Sequence, residues 1–374
     1  MSGSHETSLG PLERFLESPL VAALASPHHV DHYLEAIDPT WSIRECRARI
    51  LSITHETPDV ATVVLEPNAR WAGHRAGQWV PVTVTVDGVR QTRTFSIASA
   101  PSEGRFLRLT VKVNPKGKVS KHLVHDARPG EIVVLGEPQG DFVLPNPTPR
   151  KLLLVSGGSG ITPCMSILRD VLSRELRTDV VFLHFARTYA DVPFREELAA
   201  IDGRETNVRV VLSLTREAPR GSDESGRFSP EAIARLVPDA AEREIYVCGP
   251  VSLIDDVTKR FAAHVEHGKL HSERFTAPVL AADVAPVDDS PKRLAFTKSA
   301  VLAKGDAKRS LLVQAEEAGL SPEYGCRIGI CHSCRCGKSR GVVRDLVSGE
   351  LLDETVTEIR LCVSAPVTDV TLDL

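Results

Sequence analysis

The sequence carries little net charge and no long apolar run. Its 45 Lys and Arg residues nearly balance 49 Asp and Glu residues, which leaves a formal charge of -4. This balance gives no electrostatic basis for binding nucleic acid or an anionic membrane. No apolar stretch approaches the ~18 residues that span a bilayer, and the opening MSGSHETSLG lacks the basic and apolar regions of a secretory signal. We therefore expect a cytoplasmic protein with no integral membrane segment and no nucleic acid partner.

Cysteine is scarce over most of the chain. Of the eight cysteines, only Cys46, Cys164 and Cys248 precede residue 326. The other five crowd into the C-terminal segment: Cys326, Cys331, Cys334, Cys336 and Cys362. In a reducing compartment, such a cluster indicates a metal site rather than disulfide bonds.

The chain is long enough for several domains, because 374 residues correspond to two or three units of roughly 100–200 residues. Apolar residues in 1–40 recur at near-helical spacing, which predicts a helical N-terminal extension. Short β-rich stretches with Gly, Pro and Asp between them follow in 41–147. Their regular spacing predicts an antiparallel barrel.

The pattern changes after the barrel. Residues 148–276 alternate short buried strands such as KLLLVSGG and VVFLHFA with helices, which predicts a doubly wound parallel α/β sheet. Residues 277–291 are rich in Ala, Pro and Asp and are typical of an exposed linker. The last unit, 292–374, contains the cysteine cluster.

The spacing Cys326-x4-Cys331-x2-Cys334, with Cys362 further along, is the strongest chemical signal. A [2Fe–2S] cluster needs four thiolates, and this plant-type spacing takes three of them from one tight loop. Structural zinc is the alternative, but zinc loops favour paired C-x2-C knuckles, which this segment lacks. Since four ligands complete the cluster, Cys336 is expected to be a bystander.

This C-terminal segment resembles a plant-type ferredoxin, with YGCRIGICHSC as the cluster loop and LCVSAP around the fourth ligand. The resemblance implies a β-grasp fold and one-electron transfer. Lys and Arg here number 12 against 11 Asp and Glu, whereas free ferredoxins are strongly acidic. A tethered domain needs less electrostatic steering, so we expect the electron to come from the same chain.

Two glycine-containing strand ends suggest a dinucleotide site. LVSGGSGITPCMSIL runs from a strand through a glycine-rich turn into a helix, where backbone N–H groups can bind a pyrophosphate. Downstream, EIYVCGPVSLIDDV is another strand that ends in Cys-Gly-Pro before a helix. Because ligands bind at the carboxyl ends of parallel strands, both segments are expected to face one crevice.

A third signal is RTFS at the end of a barrel strand. In this order, the three signals resemble the ferredoxin-NADP reductase superfamily over about residues 43–276. The resemblance implies an FAD site in which Arg93 holds phosphate, Phe95 stacks, Ser96 lies near flavin N5, and Gly117 and Ser120 bind the pyrophosphate. Phe95 replaces the family's tyrosine. The residues implied for the flavin are Arg93, Thr94, Phe95, Ser96, Gly117 and Ser120.

The same resemblance implies the nucleotide and hydride-transfer residues. Cys248 would lie beside nicotinamide C4, and the segment HSERF would place Glu273 and Phe275 close to the isoalloxazine; a solvated surface charge is the alternative for Glu273. The implied catalytic residues are Ser96, Cys248 and Glu273. The implied nucleotide-binding residues are Gly157, Gly158, Gly160, Thr162, Pro163, Gly249 and Pro250.

We expect NADPH as the electron donor, and NADH is the alternative. Thr215 and Arg216 follow the third strand of the α/β segment and resemble the Ser-Arg pair that receives the 2′-phosphate, with Arg227 within reach. An arginine fork suits a phosphate, whereas NADH calls for an acidic partner to the ribose hydroxyls. Arg187, after the second strand, is a further candidate.

The combined resemblance implies an NAD(P)H oxidoreductase that passes electrons through FAD and a [2Fe–2S] cluster to a partner protein. The N-terminal stretch FLESPLVAALASPHHVDHYLEAIDPTWS resembles actinobacterial reductases that serve acyl desaturases, so a diiron desaturase, either soluble or membrane-bound, is the expected acceptor. A Rieske ring-hydroxylating dioxygenase or a haem monooxygenase is the alternative. A flavin and iron–sulfur redox sensor is an alternative of another class, and a zinc-stabilised flavoenzyme is a third.

Overall fold

A computed structural model of the chain describes residues 15–16, 18–220, 224–275, 290–324, 329 and 334–374. Most of the predicted linker therefore lies outside the described residues, as do the first 14 residues of the predicted N-terminal extension. The chain divides into two compact units, Met1–Gln91 with Phe95–Glu273 and Thr92–Thr94 with Arg274–Leu374. Across the described ranges, no helix combines the length and apolar character needed to cross a bilayer.

The helices of the described residues are short apart from the one that follows the glycine-rich turn. They are α1 Pro19–Ala25, α2 Val30–Ile37, α3 Lys118–Lys121, α4 Ile161–Ser173, α5 Arg195–Arg204, α6 Pro230–Leu236, α7 Val251–Arg260, α8 Ala262–Glu266 and α9 Leu311–Glu317. The predicted N-terminal extension contains α1 and α2. Asp31 of α2 fixes this pair to the next segment, because its carboxylate accepts hydrogen bonds from Ser42 Oγ and Ile43 N, both at 2.8 Å.

An antiparallel six-stranded sheet follows. Its strands are β1 Cys46–Thr57, β2 Val60–Pro67, β3 Trp79–Val86, β4 Val89–Ser96, β5 Leu107–Lys112 and β6 Ile132–Leu135. The order is β4-β3-β6-β1-β2-β5, and an Ile97–Leu109 bridge joins its two edges. Inward-facing side chains such as Ile50, Val82 and Leu109 are almost fully buried and fill the interior. The predicted antiparallel architecture of this segment is confirmed.

A parallel six-stranded sheet comes next. Its strands are β7 Lys151–Gly157, β8 Asp179–Ala186, β9 Val208–Leu214, β10 Glu224–Ser225, β11 Glu244–Cys248 and β12 Leu270–Glu273. The order β10-β9-β8-β7-β11-β12 reverses direction at β7, as in a doubly wound sheet. Helix α4 packs on one face, and α6 and α7 pack on the other. The predicted parallel α/β sheet is confirmed.

The second unit contains two smaller sheets. Their strands are β13 Lys292–Phe296, β14 Val301–Gly305, β15 Arg335–Arg340, β16 Val343–Asp345, β17 Leu351–Leu352, β18 Glu358–Arg360, β19 Ser364–Pro366 and β20 Val370–Leu372. The larger sheet has the order β14-β13-β20-β15-β18, with β13 and β20 parallel. Helix α9 shares an apolar core with these strands through Leu311 and Leu312.

Candidate active site

Four polar side chains form one row across the carboxyl ends of neighbouring parallel strands. Strand register places Glu273 beside Cys248, Cys248 beside Ser156, and Ser156 beside His184. All four are buried, although the strands around them are otherwise apolar. The row lies where a doubly wound sheet binds its ligand, directly before the Gly157 turn.

Glu273 ends β12 and meets the barrel. Ser96 Oγ, at the end of β4, donates a hydrogen bond to Glu273 Oε2 at 3.3 Å. Burial raises the pKa of Glu273 to about 8, while the hydrogen bond from Ser96 opposes the rise. Glu273 therefore carries a proton over much of the neutral range and can donate or accept one at this position.

Cys248 is the next member of the row. Its side chain is fully buried, and burial together with the neighbouring Glu273 holds the pKa of the thiol well above its ordinary value. The residue is therefore a neutral thiol, which contributes volume and a soft, polarizable surface rather than a nucleophile.

Ser156 and His184 complete the row and escaped the sequence analysis. Ser156 Oγ and His184 Nδ1 lie 2.8 Å apart, and His184 Nε2 is buried without a partner among the described residues. Burial lowers the pKa of His184 to about 3, so the imidazole is neutral. The available signal was a histidine inside the otherwise apolar strand VVFLHFA.

The predicted nucleotide glycines pack against the second strand end. A Cβ on Gly160 would lie 2.2 Å from the Cys248 carbonyl oxygen, and one on Gly157 would lie 2.9 Å from Pro250 Cδ. Gly158 has a φ of +55°, which favours glycine. The structure therefore brings GGSG and Cys-Gly-Pro together, as the sequence predicted. Thr162 Oγ1 donates to Ser159 O at 3.0 Å and fixes the turn from the first residues of α4.

The predicted flavin residues occupy two places. Arg93, Thr94 and Phe95 are half-buried near the end of β4, and Ser96 is buried. Gly117 precedes α3, and Ser120 Oγ accepts a hydrogen bond from Asn114 N at 3.0 Å, which closes the turn. Phe275 lies two residues after Glu273 and is 36% exposed.

The predicted phosphate residues follow adjacent parallel strands. Arg216 N donates to Arg187 O at 2.8 Å, which brings the segments after β8 and β9 side by side. Arg227 follows β10, which pairs with the end of β9. Thr215, Arg216 and Arg227 are exposed, so their side chains can meet a ligand from solvent.

In the second unit, Cys334 and Cys362 are both buried, and Cys362 N donates to Cys334 Sγ at 3.5 Å. Cys326 and Cys331 lie outside the described residues. Gly329, inside the predicted loop, has a φ of +85°, and a Cβ there would lie 2.9 Å from Val363 Cγ1. Cys336 is buried in β15, and burial raises the pKa of its thiol to about 11.

Comparison with known proteins agrees with this arrangement. The model of the oxidoreductase FAD-binding domain matches residues 47–144, and that of the oxidoreductase NAD-binding domain matches residues 154–259. A Mycobacterium tuberculosis NADPH oxidoreductase is 38% identical over 95% of this chain and 91% of its own length. This chain belongs to the ferredoxin-reductase-like family of NAD(P)H oxidoreductases. The prediction of an NAD(P)H oxidoreductase is thus confirmed.

Two further proteins that this chain resembles are named as reductases of oxygenases. The glycine betaine monooxygenase reductase subunit of Pseudomonas aeruginosa is 29% identical over 89% of this chain and 96% of its own length. Phthalate dioxygenase reductase, described as a modular structure for electron transfer from pyridine nucleotides to [2Fe–2S], shares the fold with a TM-score of 0.63. At 24% identity, it covers 88% of this chain, and 98% of its own chain is matched.

Proposed function

We propose that this family member passes electrons from NADPH through FAD and a C-terminal [2Fe–2S] cluster to an oxygenase partner. The observation that carries the proposal is the Ser96–Glu273 contact, which joins the predicted flavin strand to the row at the carboxyl ends of the parallel strands, where the nicotinamide would bind. The proposed domains are the extension 1–40, the FAD barrel 41–147, the nucleotide domain 148–276, the linker 277–291 and a β-grasp ferredoxin domain 292–374.

The residues present suit FAD and a nicotinamide nucleotide. When bound, FAD supplies the step between a two-electron donor and a one-electron acceptor. Arg93 would pair with its phosphate, Phe95 would stack, and Gly117 and Ser120 would border the pyrophosphate. The close approach of Gly160 to the Cys248 carbonyl leaves no room for a side chain, which fits a turn that binds a pyrophosphate through its backbone.

The row would orient the reacting groups. Glu273, which holds a proton, would donate to Ser96 Oγ, and the single Ser96 hydroxyl proton would then turn from Glu273 to the flavin ring. Cys248 would lie against the nicotinamide. Because these groups are buried and uncharged, they exclude water and leave few fixed charges to reorganise during the reaction.

The C-terminal residues suit an iron–sulfur cluster. Cys334 and Cys362 lie close together in the core, and the Gly329 backbone packs against Val363 where any side chain would collide. With Cys326 and Cys331, they would hold two irons, which supply one-electron transfer at low potential. Cys336 lies in β15 and would remain a bystander.

The acceptor is the finer part of the proposal. Relatives that serve monooxygenases support an oxygenase partner, and the N-terminal resemblance favours a diiron acyl desaturase. Turnover with purified diiron desaturase and with a ring-hydroxylating oxygenase, each supplied with this protein and NADPH, separates the two. A desaturase that receives no electrons, beside normal reduction of cytochrome c, would contradict that assignment.

Nucleotide preference has a direct test. We expect NADPH to reduce the flavin with a lower KM than NADH, because Arg216 and Arg227 are exposed beside the sheet. Arg216→Ala should raise the KM for NADPH about tenfold and leave that for NADH nearly unchanged. The matched control is Arg209→Ala, near the amino end of β9, the strand after which Arg216 follows. Equal losses for both nucleotides would contradict the phosphate role.

Cluster binding is tested with matched cysteine variants. Cys331→Ser should abolish acid-labile sulfide and the reduced-cluster EPR signal after anaerobic isolation, whereas Cys336→Ser should retain both. Flavin content is the internal control, since no cysteine of this segment is among the residues implied for the flavin. Absence of iron and sulfide from the wild-type protein would overturn the electron-transfer assignment beyond the flavin.

A further inference from the structure

Three hydrogen bonds join the end of β4 to the α/β sheet and its first helix. Beside the Ser96–Glu273 contact, Arg169 Nη1 donates to Ala98 O at 2.6 Å, and Ser166 Oγ donates to Ser99 O at 2.7 Å. We call residues 96–99 the 96–99 junction. Ala98, Ser99 and Ser166 are fully buried, and Arg169 is 8% exposed, so water does not compete for these bonds.

Both helix residues belong to α4, which begins directly after the glycine-rich turn. Thr162, Ser166 and Arg169 are spaced by four and three residues and therefore share one helix face. At 1.5 Å per residue, the distance along the helix from Thr162 to Arg169 is about 10 Å. One rigid element thus connects the nucleotide turn to the 96–99 junction.

Arg169 is itself held in place. Its Nε and Nη2 donate to the two carboxylate oxygens of Glu197 at 2.8 and 2.6 Å, and its guanidinium lies 4.8 Å from the centre of the Phe194 ring. Although burial opposes ionisation of Glu197, the hydrogen bonds and charge of Arg169 hold the pKa of this carboxyl below its ordinary value. Because the guanidinium is planar, this pairing fixes the direction of the remaining Nη1 bond to Ala98.

Phe194 is anchored to the barrel by a second route. Its backbone is in the left-handed region at a φ of 58°, and its N–H donates to Glu56 Oε2 at 3.1 Å. Glu56 also accepts a hydrogen bond from Thr62 Oγ1 at 2.7 Å. A left-handed phenylalanine is uncommon and persists only where surrounding contacts fix it. The Phe194 ring, against which Arg169 packs, is therefore held in place by contacts with the barrel.

We propose that Arg169 and Ser166 are positioning residues for hydride transfer, because they set the spacing between the flavin-binding strand and the nicotinamide crevice. The inference rests on the proposed function. In that reaction, the C4–H bond of NADPH breaks and the hydride reaches flavin N5, which oxidises the nucleotide and reduces the flavin by two electrons. A shift of about 1 Å in such a geometry costs on the order of 100-fold in rate.

The test compares two buried arginines. Arg169→Lys removes the fork at the 96–99 junction, and Arg243→Lys removes a similar fork whose partners Asp179, Asp239 and the Leu152 carbonyl all lie in the α/β segment. Stopped-flow mixing of the flavin-loaded full chain with NADPH gives the reduction rate. Flavin fluorescence gives retained FAD, and long-wavelength charge-transfer absorbance reports nicotinamide stacked on the flavin.

We expect Arg169→Lys to lower the reduction rate 10- to 100-fold and to weaken the charge-transfer band, with FAD retention and NADPH affinity changed less than about threefold. Arg243→Lys should lower the melting temperature but leave the rate within about twofold. Ser166→Ala, a milder change in case Arg169→Lys fails to fold, should slow reduction about three- to tenfold.

Two results would overturn the inference: equal slowing by Arg169→Lys and Arg243→Lys, or wild-type rates and charge-transfer absorbance in both Arg169→Lys and Ser166→Ala. Failure of the proposed function looks different, since wild-type protein would then retain no FAD or show no reduction by NADPH.

Discussion

At the amino ends of the parallel strands, charged side chains form a hydrogen-bonded network, whereas the buried row at the carboxyl ends is uncharged. Arg243 bonds to Asp179 and Asp239, and its hydrogen bonds lower the pKa of Asp239 to about 2. At the opposite ends, burial raises the pKa of Glu273 to about 8 and lowers that of His184 to about 3.

Within one sheet, the groups at the amino ends therefore affect stability, and the groups at the carboxyl ends affect chemistry. At the amino ends, where no ligand is expected, removal of one member of the charge network leaves its partners uncompensated and destabilises the fold. Each neutral polar group buried at the carboxyl ends lowers the stability of the fold. Together, however, these groups form a surface without water against which aromatic rings can pack. Substitutions at the two ends should therefore give different kinds of effect.

The largest effect is expected at the glycine-rich turn. Gly160→Ala would place a Cβ 2.2 Å from the Cys248 carbonyl, so the turn and the Cys-Gly-Pro segment must move apart. We expect flavin reduction by NADPH to fall at least 100-fold. The matched control is Gly203→Ala in α5, where a Cβ meets nothing within 4 Å; it should stabilise the protein by about 0.5–1 kcal/mol.

Stopped-flow reduction and thermal melting of both variants check this prediction. A Gly160→Ala protein that reduces its flavin at the wild-type rate would show that the two strand ends do not jointly form the nucleotide site.

The contributions of Glu273 and Asp239 to folding stability should change with pH in opposite directions. Glu273 has a raised pKa in the folded chain, so between about pH 5 and 8 the folded state holds a proton that the unfolded state has lost, and stability falls as pH rises. The slope reaches about 1.4 kcal/mol per pH unit. Asp239 has a lowered pKa, so its contribution is lost as pH falls from about 4 toward 2.

Melting temperatures of wild type, Glu273→Gln and Asp239→Asn across this range measure both slopes. Glu273→Gln should reduce the fall in melting temperature between about pH 5 and 8. Asp239→Asn should reduce only the fall in melting temperature below about pH 4. If the melting temperature of Glu273→Gln falls as steeply as that of wild type between about pH 5 and 8, this carboxyl is ionised in the folded protein. The assignment of a held proton would then be wrong.

Local sequence patterns predicted much of this comparison. The strands that end before Ile161 and at Cys248 predicted two segments facing one crevice, because ligands bind at the carboxyl ends of parallel strands. The [2Fe–2S] ligands also came from spacing alone, and they remain predictions because two of the four lie outside the described residues.

Other features depend on tertiary contacts that no local pattern encodes. Arg169 resembles any helix arginine in sequence, and only the packing of α4 against the barrel brings it to the Ala98 carbonyl. Ser156 and His184 are 28 positions apart and become partners through the register of β7 and β8. Long-range pairing of this kind needs the fold before it can be recognised.

The amino-end network gives a stability prediction without an effect on chemistry. Arg243→Met would leave Asp179 and Asp239 facing each other without their shared cation. We expect the unfolding free energy to drop by about 2–3 kcal/mol, toward the low end of buried pairs because Asp179 is half-exposed. Urea unfolding checks the loss, and a reduction rate that falls with it would break the separation between the two ends.

The smallest effect is expected inside the row itself. Ser156→Ala removes the hydroxyl that meets His184 Nδ1, which leaves both imidazole nitrogens buried and without a partner in the described residues, at a cost of about 1–2 kcal/mol. Ser213→Ala is the control, since Ser213 is also buried and donates only to the Gly226 carbonyl, at 2.9 Å. Both variants should unfold at lower urea concentration, but Ser156→Ala alone should slow flavin reduction, by about two- to fivefold, because Ser156 directly precedes the Gly157 turn.

Since His184 is neutral above its pKa of about 3, the slowing should not vary between pH 6 and 9. A slowing of Ser156→Ala relative to wild type that changes with pH over this range would mean that the imidazole gains a proton, and the row would then be polar and charged like the opposite end of the sheet.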